Sequence, residues 1–234
     1  MLRVKLQVYP LSHWSGDMNA SRKWIISRLL ALAVATGTGM GGAFYAMHAN
    51  DVSQQELAAI LQDPYVQAVA NDVHTSDAVK IAMLMGYLYE SSGQHIGEPY
   101  VDTWGRGQPL TVCNGITGAG VVAGRYYNQA DCYELEKGRY LQAERAAQRN
   151  FKHWAGYDAI TQATFLDFIH NKGVGALSTS TMLRKANAGD LPGACRENLK
   201  WNKGTVQGVL RVLPGLKDRA ETNSGFCQEG GWNV

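Results

Sequence analysis

ESSGQHIGEPYVDTWGRGQPLTVCNGITG, residues 90–118, is the stretch whose reading decides the fold. Gly93, Gly97, Pro99, Gly105, Gly107, Pro109, Gly115 and Gly118 interrupt every short run in it, so it reads as hairpin and loop with short strands. The segment before it, DAVKIAMLMGYLYE over residues 77–90, keeps Val79, Ala82, Met83, Gly86 and Leu88 on a broad apolar surface at helical spacing. Met83 and Met85 fit core filling. Glu90, the first acid since Asp77, closes that helix, and Gly93 ends it. The pattern is a carboxyl group at a helix end, followed by a hairpin carrying Asp102 and Thr111.

Outward from this hairpin the signal is helical on both sides. SQQELAAILQD begins at Ser53, an N-cap with Glu56 three residues on in capping-box spacing, and Asp63 with Pro64 restarts the chain into a second short helix. Downstream, residues 131–154 form a long amphipathic run with Leu135, Tyr140, Leu141 and Ala147 among its apolar positions. DAITQATFLDFIHN, STSTMLRKANAG and LPGACRENLKWN follow. The expected architecture is α+β: mostly helical, with a small antiparallel hairpin sheet and an N-terminal apolar leader helix.

Charge and cysteines narrow the function. The 22 Lys and Arg against 20 Asp and Glu give a net charge of +2, too balanced to argue for nucleic acid. Cys113, Cys132, Cys195 and Cys227 all lie downstream of the leader, and none stands in CxxC or beside a ligand-spaced His, so no metal site is expected. An even number in an exported domain favours two disulfides, with reduced buried thiols as the alternative.

The leader divides the chain into a basic segment, residues 1–28, an apolar segment, residues 29–47, and a globular domain, residues 48–234. Residues 29–47 carry no charge and follow Arg22, Lys23 and Arg28, which suits a signal anchor with its positive flank inside. Gly37, Gly39, Gly41, Gly42 and five alanines make it a weak span. A cleaved signal peptide and a buried core helix are the alternatives; Phe44, Tyr45 and Met47 occupy positions that a cleavage site would fill with small residues. Met18 opens a better-formed leader than Met1 does.

Glycosidic cleavage needs an acid to protonate the leaving oxygen, and a second group to place water or stabilise the oxocarbenium ion on the opposite sugar face. At a helix C-terminus, burial and the helix dipole would favour the protonated form of Glu90, as a general acid requires. Asp102 in a polar loop would stay ionised and orient water, and the Thr111 hydroxyl would hold that water from a second side. Taken singly, each has an ordinary reading, as an exposed helix end, a turn former and a strand residue.

The run YVDTWG…LTVCNGITG from Tyr100 resembles the active-site hairpin of phage-type lysozymes, glycoside hydrolase family 24. FLDFIHNKGVGALSTSTMLRKANAGD from Phe165 and VLPGLKDRAETNSGFC from Val212 are similar to two later motifs of that family, in the same order. The resemblance implies catalytic roles for Glu90, Asp102 and Thr111, and places Asn171 and Gly173 on the far wall of the cleft as substrate-binding residues. Both loops around Asp102 carry three residues more than the family pattern, and Glu98 is a rival acid. Of the three pairings open to four cysteines, Cys113 with Cys132 and Cys195 with Cys227 are preferred because each joins segments near in sequence.

The implied function is an endolysin muramidase that hydrolyses the β-1,4 bond between N-acetylmuramic acid and N-acetylglucosamine of peptidoglycan, without metal or organic cofactor. The weak leader resembles the signal-anchor-release class. It implies tethering to the inner membrane through residues 29–47, then release as a monomer into the periplasm, with refolding of the anchor against the domain still open. A lytic transglycosylase, suggested by Glu90-Ser91-Ser92, and an inactive glycan-binding domain are the rivals.

Overall fold

The computed structural model describes residues 20–36, 48, 50–91, 94–102, 107–206 and 208–231. Helices α1 (Ala20–Thr36), α2 (Gln54–Ile60), α3 (Pro64–Asn71) and α4 (Asp77–Ser91) lead into a three-stranded antiparallel sheet of β1 (Tyr100–Val101), β2 (Leu110–Val112) and β3 (Ile116–Thr117). Helices α5 (Gln129–Asn150), α6 (Ala159–Ser178), α7 (Thr181–Asn187) and α8 (Leu191–Glu197) follow; then come a hairpin, β4 (Lys203–Val206) with β5 (Val209–Val212), and the closing helix α9 (Pro214–Glu229). The α+β expectation holds, with the small sheet where the glycine-punctuated hairpin was read.

Local chemistry sets the boundaries. Ser53 Oγ accepts from Glu56 N at 3.2 Å to start α2, and Asp63 accepts from Tyr65 N at 2.8 Å with Pro64 at the first helical position of α3. Helix α5 starts earlier than its apolar pattern suggests, because Asn128 and Asp131 form a reciprocal capping box. Ser180 caps α7 by accepting from Leu183 N.

The principal core is layered around α4, which packs along α6 and against α5; Val79, Ile81, Ala82, Met83, Leu84 and Met85 are fully buried there. Gly86 lets α4 and α5 touch: a Cβ at this position would stand 1.9 Å from the Tyr140 hydroxyl oxygen. A satellite core of Val112, Cys113, Ile116, Tyr127 and Cys132 sits beneath the sheet. Disulfides join Cys113 to Cys132 and Cys195 to Cys227, the preferred pairing.

Two features depart from the sequence pattern. The β4–β5 hairpin is a second sheet that alternation does not betray, since Val206, Val209, Leu210 and Val212 are all exposed; Gly208, at φ 77°, makes its turn. The larger departure is α1. It starts at Ala20, runs across the boundary drawn at residue 28 and lies in the core, with Ile25, Ile26, Ala31 and Leu32 fully buried and Leu29 1% exposed. This stripe packs against α2, α3 and α4. Arg22 pairs with Glu229 on α9 and stands over the Phe226 ring at 5.3 Å, in space left by Gly225. His48 Nε2 meets the other oxygen of Glu229 at 3.3 Å. Residues 37–47 of the expected span lie outside the described residues, and no described helix is long and apolar enough to cross a membrane.

Candidate active site

Helix α4 delivers Glu90 to the edge of a cleft of about 470 Å³, lined by Glu90, Asn114, Gly115, Arg139, Gln142, His170 and Asn171 among others. Gly173 and Val174 close the far side, and α6 kinks there because Gly173 adopts φ 84°, ψ 161°. The size is that of a small-molecule or oligosaccharide subsite.

The Glu90 side chain is 26% exposed, and its Oε1 accepts from Arg219 Nη1 at 2.6 Å. Arg219 is buried, and its other face grips Asp167 through Nε at 2.8 Å and Nη2 at 2.7 Å, the fork geometry of a bidentate pair. Asn223 adds a third donor to Asp167 at 2.6 Å. Burial alone would raise the Asp167 carboxyl, but the attraction of Arg219 and these hydrogen bonds outweigh it and hold its pKa below the ordinary value. Burial would likewise lower Arg219, but Asp167 and Glu90 push it well above the ordinary guanidinium value. Helices α6 and α9 thus anchor one oxygen of Glu90 through a permanently charged arginine, and Oε2 remains. That oxygen faces the hairpin: a Cβ on Gly115 would stand 3.8 Å from it.

The sequence-predicted residues fall into two groups. Glu90, Asn171 and Gly173 come together on the cleft. Asp102 and Thr111 do not line that cavity; they sit on the hairpin beside it. Asp102 is half-buried just past β1, its N–H donating to the Pro109 carbonyl at 3.0 Å. Thr111 is buried on β2, pairs with Tyr100 and Thr117 across the sheet, and donates its hydroxyl to the same carbonyl at 3.1 Å.

Residues 95–223 match the phage lysozyme family, a span that contains Asp102, Thr111, Asn171 and Gly173 and begins just after Glu90. The chain belongs to the phage lysozyme family. A SAR-endolysin of bacteriophage PS119 is 33% identical over 133 residues, covering 57% of this chain and 74% of that one. Among solved structures, an endolysin from Escherichia coli O157:H7 phage FAHEc1 superposes with a TM-score of 0.55 at 19% identity, covering 65% of this chain and 90% of its own. The active form of the P1 phage endolysin Lyz gives a TM-score of 0.54 at 20% identity, covering 70% and 90%. As a phage lysozyme the chain is a lysozyme-type glycosidase.

Reading the phage lysozyme from sequence missed Arg219, Asp167, His170, Asn114 and Arg139. Arg219 stands within the quoted closing motif as the one arginine of α9, and its place in that motif was the available signal. His170 is stacked on Tyr140 at 4.3 Å, and burial lowers its pKa, so it lines the phage lysozyme cleft as a neutral ring. Cys113, Cys132 and Glu136 bring ligand-type atoms together, but the two sulfurs are joined to each other, which leaves one carboxylate.

Proposed function

We propose that this phage lysozyme is an endolysin muramidase that cleaves the β-1,4 bond between N-acetylmuramic acid and N-acetylglucosamine. The observation that carries the reading is Glu90 at the end of α4, held by Arg219 through Oε1 with Oε2 turned to the cleft side of the hairpin. Oε2 is the oxygen from which a proton passes to the leaving glycosidic oxygen. Asp102 and Thr111 place the water that attacks the opposite sugar face. The Thr111 proton is committed to the Pro109 carbonyl, so its lone pairs accept from water, while Asp102 supplies the second acceptor. Asn171 offers an amide to an N-acetyl group across the cleft from Glu90.

Residues 29–47 serve as an inner-membrane anchor during export, a reading that the SAR-endolysin names of the relatives support. On release the anchor withdraws from the bilayer and its first half, residues 29–36, seats as the second half of α1 in the core, giving a monomer in the periplasm whose catalytic unit includes α1 as well as residues 48–234. Helix α1 suits both solvents: its apolar stripe is satisfied by lipid or by α2, α3 and α4.

The test is turnover of purified peptidoglycan by the full chain and its Glu90→Gln and Asp102→Asn variants. Loss of the acid removes a contribution of about 10² to 10⁴ in rate, and Asp102→Asn should also cut turnover steeply. Wild-type turnover by Glu90→Gln would dismiss this acid. Retained activity by Asp102→Asn with anhydro-sugar products would favour the transglycosylase chemistry.

A further inference from the structure

Helix α5 turns one stripe of side chains towards the β2–β3 turn. Cys132, Glu136 and Arg139 stand at helical spacing of four and three residues, so they share a face. Each takes the next part of the turn in order. Cys132 is bonded to Cys113. Glu136 accepts from Asn114 twice, Oε1 from the backbone N–H at 3.2 Å and Oε2 from side-chain Nδ2 at 2.8 Å. Arg139 donates to the Gly115 carbonyl at 3.5 Å and the Thr117 carbonyl at 3.2 Å. The turn needs holding, since Cys113 sits at φ 56°, a conformation that non-glycine residues seldom adopt. It is also the wall of the cleft that faces Glu90, through Gly115 and Asn114.

We infer that Glu136 is a positioning residue for the glycosidase reaction: by accepting both N–H groups of Asn114 it fixes that amide in the cleft wall, with Oδ1 left as an acceptor for the sugar. The chemistry favours this over a simple core role. Glu136 is 2% exposed, and a buried carboxyl group is costly unless its contacts require an acceptor on both oxygens. All three of its hydrogen bonds come from donors, the third from the Tyr65 hydroxyl at 2.5 Å. An apolar residue would fill the space without the cost, but would leave the Asn114 amide free to turn over. With Nδ2 fixed on Glu136, the atom offered to a ligand is Oδ1. The ligand groups that it recognises are the hydroxyl and N-acetyl N–H donors of an amino sugar. Asn114 is thereby a substrate-binding residue, and Glu136 acts only through it.

The inference rests on Glu90 as the acid of the same cleft, but its test does not share that failure. Steady-state kinetics on soluble peptidoglycan fragments are measured for the full chain and for Glu136→Gln, Asn114→Ala, the double variant and Ser180→Ala, each with a thermal melt. Gln can accept on one atom only, so Glu136→Gln should lower kcat/KM about tenfold, mainly through KM. Asn114→Ala should do the same, and the double variant should be no worse than Asn114→Ala, because both act on one contact. Ser180→Ala removes the cap of α7, which touches neither the turn nor Glu136; it should shift the melt and leave turnover unchanged. Additive losses in the double variant, wild-type kinetics for Asn114→Ala, or an equal loss in Ser180→Ala would overturn the inference. If Glu136→Gln fails to fold, Asn114→Ala and Ser180→Ala decide: loss in the first alone supports the role. An active Glu90→Gln enzyme with this cycle intact would sink the acid and leave the positioning role standing.

Discussion

Leu29→Ala separates the two environments that α1 is proposed to occupy. In the folded protein Leu29 is 1% exposed among Ile25, Ile26 and Leu32, and truncating a leucine so buried costs about 2–5 kcal/mol, the spread reflecting how far neighbours collapse into the void. In a bilayer the same side chain contributes about 0.3–0.6 kcal/mol to insertion. The substitution should therefore weaken the docked state by about 1.4–4.7 kcal/mol more than the membrane-inserted one. It makes the anchor less apolar, yet should shift the chain towards the membrane. Two assays check this. Denaturant unfolding of the soluble full chain should show a lower midpoint with little change in slope. Fractionation of cells expressing each form should show less released protein for Leu29→Ala. An unchanged midpoint would mean that α1 is not part of the folded core, and a larger released fraction would mean that leaving the bilayer, not docking, dominates the balance.

Other consequences follow from single contacts. Arg219→Met strands Asp167 without a counter-ion in the core and should cost about 3–5 kcal/mol, seen as a large fall in melting temperature together with loss of turnover; Arg219→Lys keeps the charge but not the fork, and should lose activity as well. Gly86→Ala brings a Cβ to 1.9 Å from the Tyr140 hydroxyl and should destabilise by about 1–3 kcal/mol, with partial recovery in the double variant Gly86→Ala/Tyr140→Phe. Burial pushes the Glu136 carboxyl up to about 7 against the hydrogen bonds of Tyr65 and Asn114, and the charge of Glu90 on α4 adds to the rise, with Tyr87 and Tyr140 packed nearby. The folded state then binds more protons than the unfolded chain, so this contribution to stability is fully present below the ordinary carboxyl value of 4.5 and is lost as pH rises through about 7. Melts across that window should fall with pH in the wild type and flatten in Glu136→Gln.

Much of the fold is legible in the sequence. Glu90 announces itself as the acid that closes an apolar helix ahead of a glycine-rich hairpin, and local chemistry alone decides that placement. The helix starts at Ser53 and Asp63 were readable for the same reason. What stayed hidden depends on long-range partners or on ambiguous solvents. The grip of Arg219 on Glu90 joins residues 129 apart, and no local pattern records it. Glu136 looks like one more acid on an amphipathic helix until Asn114 is brought to it by the disulfide between Cys113 and Cys132. The docking of α1 was least legible, because an apolar stripe is equally content in lipid or in a protein core. The β4–β5 hairpin escaped notice because exposure on both faces erases the alternation by which strands are recognised.

The most direct test of the central claim is the chemistry of the cut. Purified peptidoglycan digested by the full chain, with the product termini identified by mass spectrometry, should yield free reducing N-acetylmuramic acid ends, released about 10² to 10⁴ times more slowly by Glu90→Gln. Products ending in 1,6-anhydro-N-acetylmuramic acid, or reducing ends released equally by the variant, would contradict a hydrolase working through Glu90.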